Sequence, residues 1–424
     1  MSLTTTRNRK PTTLPRNTGA SSTEWTSPAA WLPLPDISAT NNRFVGLLRI
    51  DQESNFVALN CTVTGGYTVD WGDGTTTNHS SAANAEKQYS YSSVPNTGES
   101  TLGYRQVVIT VYPQTVGQNI TAFSLQVKHS QSGLSTYHTP WLNIAINAAA
   151  ITSLSIGGTT TPLTHLQQAI IYNHACTSFL NLFNGCRSLR SVPLFNTSAV
   201  TNMSSMFAGC ITLTTVPLFN TSAVTNMSTM FSSCVSLTSV PLFNTSAVTN
   251  MSNMFTNCSS LTSVPLFNTS AVTNINSMFN ACSSLTSVPL FNTSAVTNMS
   301  NMFTNCSSLT SVPLFNTSAV TSMGSMFNGC SALTTIPALV SSVVTAAGLA
   351  GIFTSCVSLS SAPFSGTNQN ISYANCKLSA AALNAIYTGL SSSGTGKTIT
   401  VTGNWGTATH DPSIATAKGW TVVV

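Results

Sequence analysis

The sequence predicts a mainly β protein: an N-terminal antiparallel β-sandwich, then a solenoid with short parallel strands, closed by a small α/β C-terminal cap. Three observations carry this. Between Arg43 and His129, strand-length runs of β-type residues alternate with Gly, Asn and Ser turns. From Cys186 to Cys330 a cysteine recurs every 24 residues, which is a repeat ladder and not the CxxC spacing of a metal site. After Cys376 a helical stripe and two strand-like runs replace the repeat.

Residues 1–40 form an extended arm rich in Thr, Pro, Asn and Ser, kept open by its prolines. Four cations, Arg7, Arg9, Lys10 and Arg16, stand in it with no acid among them. Such an arm either contacts an acidic groove or nucleic acid, or tethers the folded body to a larger assembly, and the tether is the favoured reading. No basic stripe with interleaved aromatics supports nucleic acid as a partner. Trp25, Trp31 and Leu32, in EWTSPAAWLPLPDI, are expected to fasten the arm's end to the following domain or to a neighbour. The first residues show a basic segment with no apolar stretch behind it, so secretion by a signal peptide is not expected.

Residues 41–131 carry the sandwich. The runs FVGLLRI, NFVALNCTV, YTVDW, RQVVITVYP and AFSLQVKH have strand length and strand composition. At their centre stands YTVDWGDGT, with Asp70, Trp71, Gly72, Asp73 and Gly74. Asp70 and Asp73 are paired carboxylates, but a calcium loop wants oxygen ligands at alternate positions and a closing Glu, and neither is present. A turn-forming role is favoured, with Asp capping its own backbone and Gly supplying positive φ. This WGDGT turn after a Trp-bearing strand, with Tyr89 and Tyr91 and then VVITV following, resembles the PKD (polycystic-kidney-disease-type) domain.

Residues 132–376 carry the solenoid, with a degenerate first copy at LFNGCRSL. Aligned on cysteine, the unit is C-x-x-L-T-x-V-P-L-F-N-T-S-A-V-T-N-M-S-x-M-F-x-x. Its ladders are Cys210, Cys234, Cys258, Cys282, Cys306 and Cys330, and Phe207, Phe231, Phe255, Phe279, Phe303 and Phe327. A period of 24 falls among leucine-rich repeats, with L-T-S-V-P-L expected as the strand. In the copy CSSLTSVPLFNTSAVTNMSNMFTN the proposed core is Cys282, Leu285, Val288, Leu290, Val296, Met302 and Phe303. The eleven cysteines, an odd count in a long chain, are expected to be free buried thiols acting as small hydrophobes. The spacing F-x-x-C-x-x-L-x-x-V, followed by V-T-N-M-S-x-M-F, resembles the BspA-like leucine-rich repeats of bacterial surface proteins and of some phage and protist proteins. That resemblance implies a right-handed solenoid. Residues 377–424 form the cap, with Leu383, Ile386, Tyr387 and Leu390 on one helical face.

Charge restricts function. Hydrophobic content is 42%, but charged residues make up only 5% and net charge is +5, against roughly 25% charged residues in an average soluble protein. From Ser191 to Cys376 there is no Asp, Glu, Lys, Arg or His. The six histidines are scattered and none of the common catalytic motifs occurs, so no enzyme, cofactor or metal is expected. No membrane span is expected either. The expected role is a virion structural protein of a bacteriophage: surface decoration, fibre or tail component, docked to other virion proteins by its arm and forming a homo-oligomer. Its polar stripe suits a host-surface glycan or receptor. The alternative is a bacterial cell-surface adhesin of the BspA-like kind.

Overall fold

β-branched and aromatic runs of five to nine residues build two sheets at the N-terminal end. The structure, a computed structural model, describes residues 26–52, 55–95, 102–132, 139–158, 162–340, 343–344 and 348–424. The strands are β1 (Arg43–Ile50), β2 (Phe56–Val63), β3 (Gly66–Asp70), β4 (Thr76–Ser80), β5 (Asn84–Gln88), β6 (Arg105–Pro113), β7 (Ile120–Ser124), β8 (Trp141–Asn147), β9 (Ser153–Ser155) and β10 (Gln168–Ile171). One sheet has the order β10-β8-β1-β6-β3-β4 and the other β5-β2-β7-β9. Their inner faces share one core, where the Phe44 ring of β1 stacks on Phe123 of β7 at 4.4 Å and meets Trp141 of β8 edge-on.

The body does not end at residue 131. β8, β9 and β10 come from the following segment, and β10 joins β8, and β9 joins β7, in parallel. Parallel pairing is how a solenoid grows, so each sheet leads directly into the coil. The same buried cluster then runs unbroken from Phe44 to Trp420. All seven residues of β8 are buried because its outer face is covered too. Trp31, Leu32 and Leu34 lie over Leu47, Tyr104 and Leu142, while Ile37 lies against Val45 and Ala145. The cations Arg7, Arg9, Lys10 and Arg16, together with Trp25, lie outside the described residues.

The repeats depart from the expected geometry. L-T-S-V-P-L, the strand expected from the sequence, pairs sparsely, with the Thr286 N–H reaching the Thr262 carbonyl at 3.4 Å and parallel bridges from Ser311 to Thr335 and Thr335 to Ser361, while the denser inter-repeat ladder runs through N-M-S-x-M-F-x-x. Met251, Asn253, Phe255 and Asn257 donate their N–H groups to Asn274, Asn276, Met278 and Asn280 of the next copy at 2.7–3.0 Å. The residues between them turn back locally: Met254, Thr256 and Cys258 donate to carbonyls three residues earlier. Two left-handed residues per copy, such as Asn253 (φ 57°) and Asn257 (φ 62°), make this alternation possible. Through most of the array the pairing therefore narrows to single parallel bridges, Asn202 to Asn226 to Asn250 to Asn274 to Asn298.

Leu290 is the second departure. It is 58% exposed, while Phe291, outside the proposed core, is buried. The N–H of Phe291 reaches the carbonyl of Pro289 at 3.0 Å, a three-residue turn that breaks strand alternation and points Leu290 outward. The remaining proposed core residues, Cys282, Leu285, Val288, Val296, Met302 and Phe303, are all buried.

The chain closes with β11 (Leu339–Val340) paired to β12 (Phe364–Ser365), and with a parallel sheet of β13 (Ile371–Ser372), β14 (Lys397–Thr400) and β15 (Trp420–Val423). Between these strands lie α1 (Ala380–Gly389) and the single turn α2 (Ser413–Thr416). Ser379 caps α1 by accepting from the Ala382 N–H, and Leu383, Ile386 and Tyr387 face the core. Among the described residues no helix is long and apolar enough to cross a membrane.

Candidate interaction surface

Each repeat sorts its residues by the same rule. Phe rings of successive copies stack inside, with Phe255 and Phe279 at 5.7 Å and 4° between planes. The cysteines of the repeats lie beside them, and these, like the other cysteines of the chain, are buried and free. Their thiols are capped: Cys258 Sγ donates to the carbonyl of Phe231 at 3.0 Å and Cys282 Sγ to that of Phe255 at 3.1 Å. Burial pushes the Cys258 thiol up to about 12 and that of Cys282 well above its usual value. These are inert thiols, the opposite of the lowered, exposed thiolate that nucleophilic chemistry needs.

The outside is equally regular. In the copy around Cys282, Thr286, Ser287, Leu290, Asn292, Ser294, Thr297 and Asn305 are exposed. The backbone holds several of these side chains in place. Asn292 Oδ1 accepts from the N–H and hydroxyl of Ser294 at 3.1 and 2.8 Å, which fixes the orientation of its amide. Thr297 Oγ1 donates to the carbonyl of Thr273 one copy earlier at 3.3 Å. The threonine of N-T-S is buried: Thr269 Oγ1 donates to the carbonyl of Asn292 at 2.7 Å, tying one copy to the next. Side chains pinned in this way present a nearly rigid lattice of hydroxyls and amides, one rung of about 4.8 Å per copy. Rigidity reduces the side-chain entropy lost when a partner binds.

One exposed element is absent from the sequence-based expectation. Leu194, Leu218, Leu242, Leu266, Leu290 and Leu314 are between 51% and 59% exposed and stand at the same position in six consecutive copies. The pattern alone could not separate Leu from the adjacent Phe, because both are apolar at the end of a strand-like run.

The turn at Asp70 to Gly74 is a self-contained loop. Asp70 Oδ1 accepts from the Gly72 N–H at 3.0 Å, and Asp73 Oδ1 accepts from the N–H and hydroxyl of Thr75 at 3.1 and 2.6 Å. Gly72 and Gly74 have φ of 74° and 86°, and a Cβ on Gly72 would collide with the Val108 carbonyl oxygen. Trp71 is buried and donates to Thr77 Oγ1 at 2.8 Å. Asp73 pairs with Lys87 at 2.7 Å. Burial opposes its charge, but the hydrogen bonds from Lys87 and Thr75 outweigh that and hold the carboxyl below its usual value. Both carboxylates thus serve the turn. Among the described residues no group of three or more His, Cys, Asp or Glu is placed to hold a metal. Trp31 is also used internally, its Nε1 donating to the Tyr104 hydroxyl at 3.1 Å, so it fastens the arm's end to this chain's own sheet.

The family model described as a Mycoplasma protein of unknown function, DUF285, matches residues 177–287, 237–338 and 261–360, all on the repeats. No curated protein matches the chain. Among solved structures, similarity is found to the TLR13–ssRNA13 complex, at 14% identity over 64% of this chain and 48% of that one, with a TM-score of 0.25. A leucine-rich cell surface protein from Faecalibacterium prausnitzii A2-165 is similar at 16% identity over 61% of this chain and 84% of that one, with a TM-score of 0.22. The chain thus spans about half the length of the first of these. At such scores neither protein's role bears on this one, and the surface is interpreted from its own geometry.

Proposed function

We propose that this chain is a non-enzymatic display protein whose solenoid presents a periodic, uncharged surface to a repetitive target, with a glycan as the best-matched chemical class. The observation that carries this is the pinned lattice itself. Exposed Asn, Ser and Thr recur at one orientation in consecutive copies, Asn292 and Ser294 being one instance, with no titratable side chain from Ser191 to Cys376 except buried thiols and Tyr373. A polysaccharide offers hydroxyls at a fixed repeat and no obligatory charge. Individually weak hydrogen bonds to it gain strength when many rungs engage one chain.

We assign the display to the surface of a bacteriophage particle, as a decoration, fibre or tail component docked by the basic part of its N-terminal arm. This finer reading rests on the acid-free cluster Arg7, Arg9, Lys10 and Arg16, which suits an acidic groove on another virion protein. Immunogold labelling of purified particles tests it. Label on the particle is the expected outcome. Label on a bacterial envelope, with none on particles, would return the protein to the BspA-like adhesin class.

A further inference from the structure

The leucine stripe answers to a different partner from the polar lattice, and it needs that partner whether or not the chain is a display protein. Six leucines, Leu194, Leu218, Leu242, Leu266, Leu290 and Leu314, expose 51–59% of their surface at one position of consecutive copies. At a rung spacing of about 4.8 Å they form a line about 24 Å long. With the half-buried prolines before them they present on the order of several hundred Å2 of apolar surface. That equals or exceeds the patch a typical monomer leaves open and approaches the about 800 Å2 that one partner gives to a standard interface.

We propose that a second copy of this chain covers the stripe, packed antiparallel about a two-fold axis between Leu242 and Leu266. Two features select that occupant. First, the stripe has constant pitch, so rotation about its midpoint superposes it on itself, and each leucine of one copy meets a leucine of the other along the whole line. Such an isologous contact needs no second surface to evolve. Second, the flanking exposed residues are uncharged, as Thr286 and Ser287 are, and no charge occurs from Ser191 to Cys376. The partner's face must then bury without salt-bridge mates, a condition this chain's own face meets. Arg190 stands at the outer end of the stripe and is exposed, so its long side chain can keep its charge in water. In the antiparallel arrangement Leu194 of one copy lies opposite Leu314 of the other.

The test uses the full chain in solution. Light scattering coupled to size exclusion should give the mass of a dimer. The double variant Leu242→Lys with Leu266→Lys should halve that mass while leaving the circular dichroism spectrum unchanged, since both side chains are exposed. Cross-linking supplies an independent arm, because all native cysteines are buried. A mixture of Leu194→Cys and Leu314→Cys chains, treated with a short bismaleimide, should yield cross-linked heterodimer, whereas Leu194→Cys alone should not link. A monomeric native chain overturns the proposal and leaves the stripe to a foreign protein or a lipid surface. A dimer that survives both lysines, or Leu194→Cys linking to itself, overturns it as well.

Discussion

The thiol of Cys258 donates to the carbonyl oxygen of Phe231 at 3.0 Å, across the joint between two consecutive repeats. The same contact recurs from Cys306 to Phe279 and from Cys330 to Phe303. Each cysteine therefore fills the core and satisfies a buried carbonyl together. Cys258→Ala should lose both, at a cost of about 1–2 kcal/mol in urea unfolding. A change under about 0.5 kcal/mol would mean that the contact is incidental.

The same burial makes stability depend on pH in the alkaline range. The usual thiol value is 9.0, and burial raises Cys258 and Cys306 to about 12. Below pH 9 these thiols are protonated in both states and their contribution is complete. Above it the unfolded chain ionises first while the folded one resists, so stability falls as pH rises toward about 12. Each such thiol weakens the fold by up to about 1.4 kcal/mol per pH unit in that window. The melting temperature should hold steady up to about pH 9 and drop steeply beyond it.

Thr229 sits at φ 60°, a left-handed conformation that a β-branched residue tolerates poorly. Asn253 and Asn301 hold the equivalent position at φ 57°. Thr229→Asn should stabilise the chain by about 0.5–1 kcal/mol, by analogy with the strain of left-handed backbone. Thermal unfolding of the single variant reads this directly.

Thr269 is buried, and its hydroxyl reaches the Asn292 carbonyl at 2.7 Å. Thr269→Val keeps the shape and removes the donor, so about 1 kcal/mol should be lost in chemical unfolding. The loss belongs to the joint between two copies. Valine at the exposed Thr297 position should cost less.

Much of the architecture was legible because a fixed period leaves few choices. Phe303, Cys282 and Leu285 are one rung apart from identical neighbours, and identical residues in register must all be in or all be out. What failed was local. Val-Pro-Leu-Phe contains three large apolar residues, and only the turn closed by Phe291 on Pro289 decides that Phe enters and Leu290 leaves. The denser of the two inter-repeat ladders left no trace in the pattern for a related reason. Its N-M-S-x-M-F segment alternates local turns with bonds to the next copy, a pattern with no strand-like signature. The end of the arm was half legible: Trp31 packs on this chain's own sheet, an outcome the tryptophan itself could not distinguish from contact with a neighbour. The carboxylates Asp70 and Asp73 were legible from Asp-Gly chemistry alone.

The central claim is that the repeats bind as a periodic surface, and binding measured against repeat number tests it most directly. Removing residues 235–282 deletes two whole copies and joins Cys234 to Ser283 with the ladder in register. Binding of the full and shortened chains to a polysaccharide array and to intact bacterial cells should fall steeply with the loss of rungs, while the shortened chain still melts cooperatively. Equal binding by the two chains, or no binding by either, would contradict the claim.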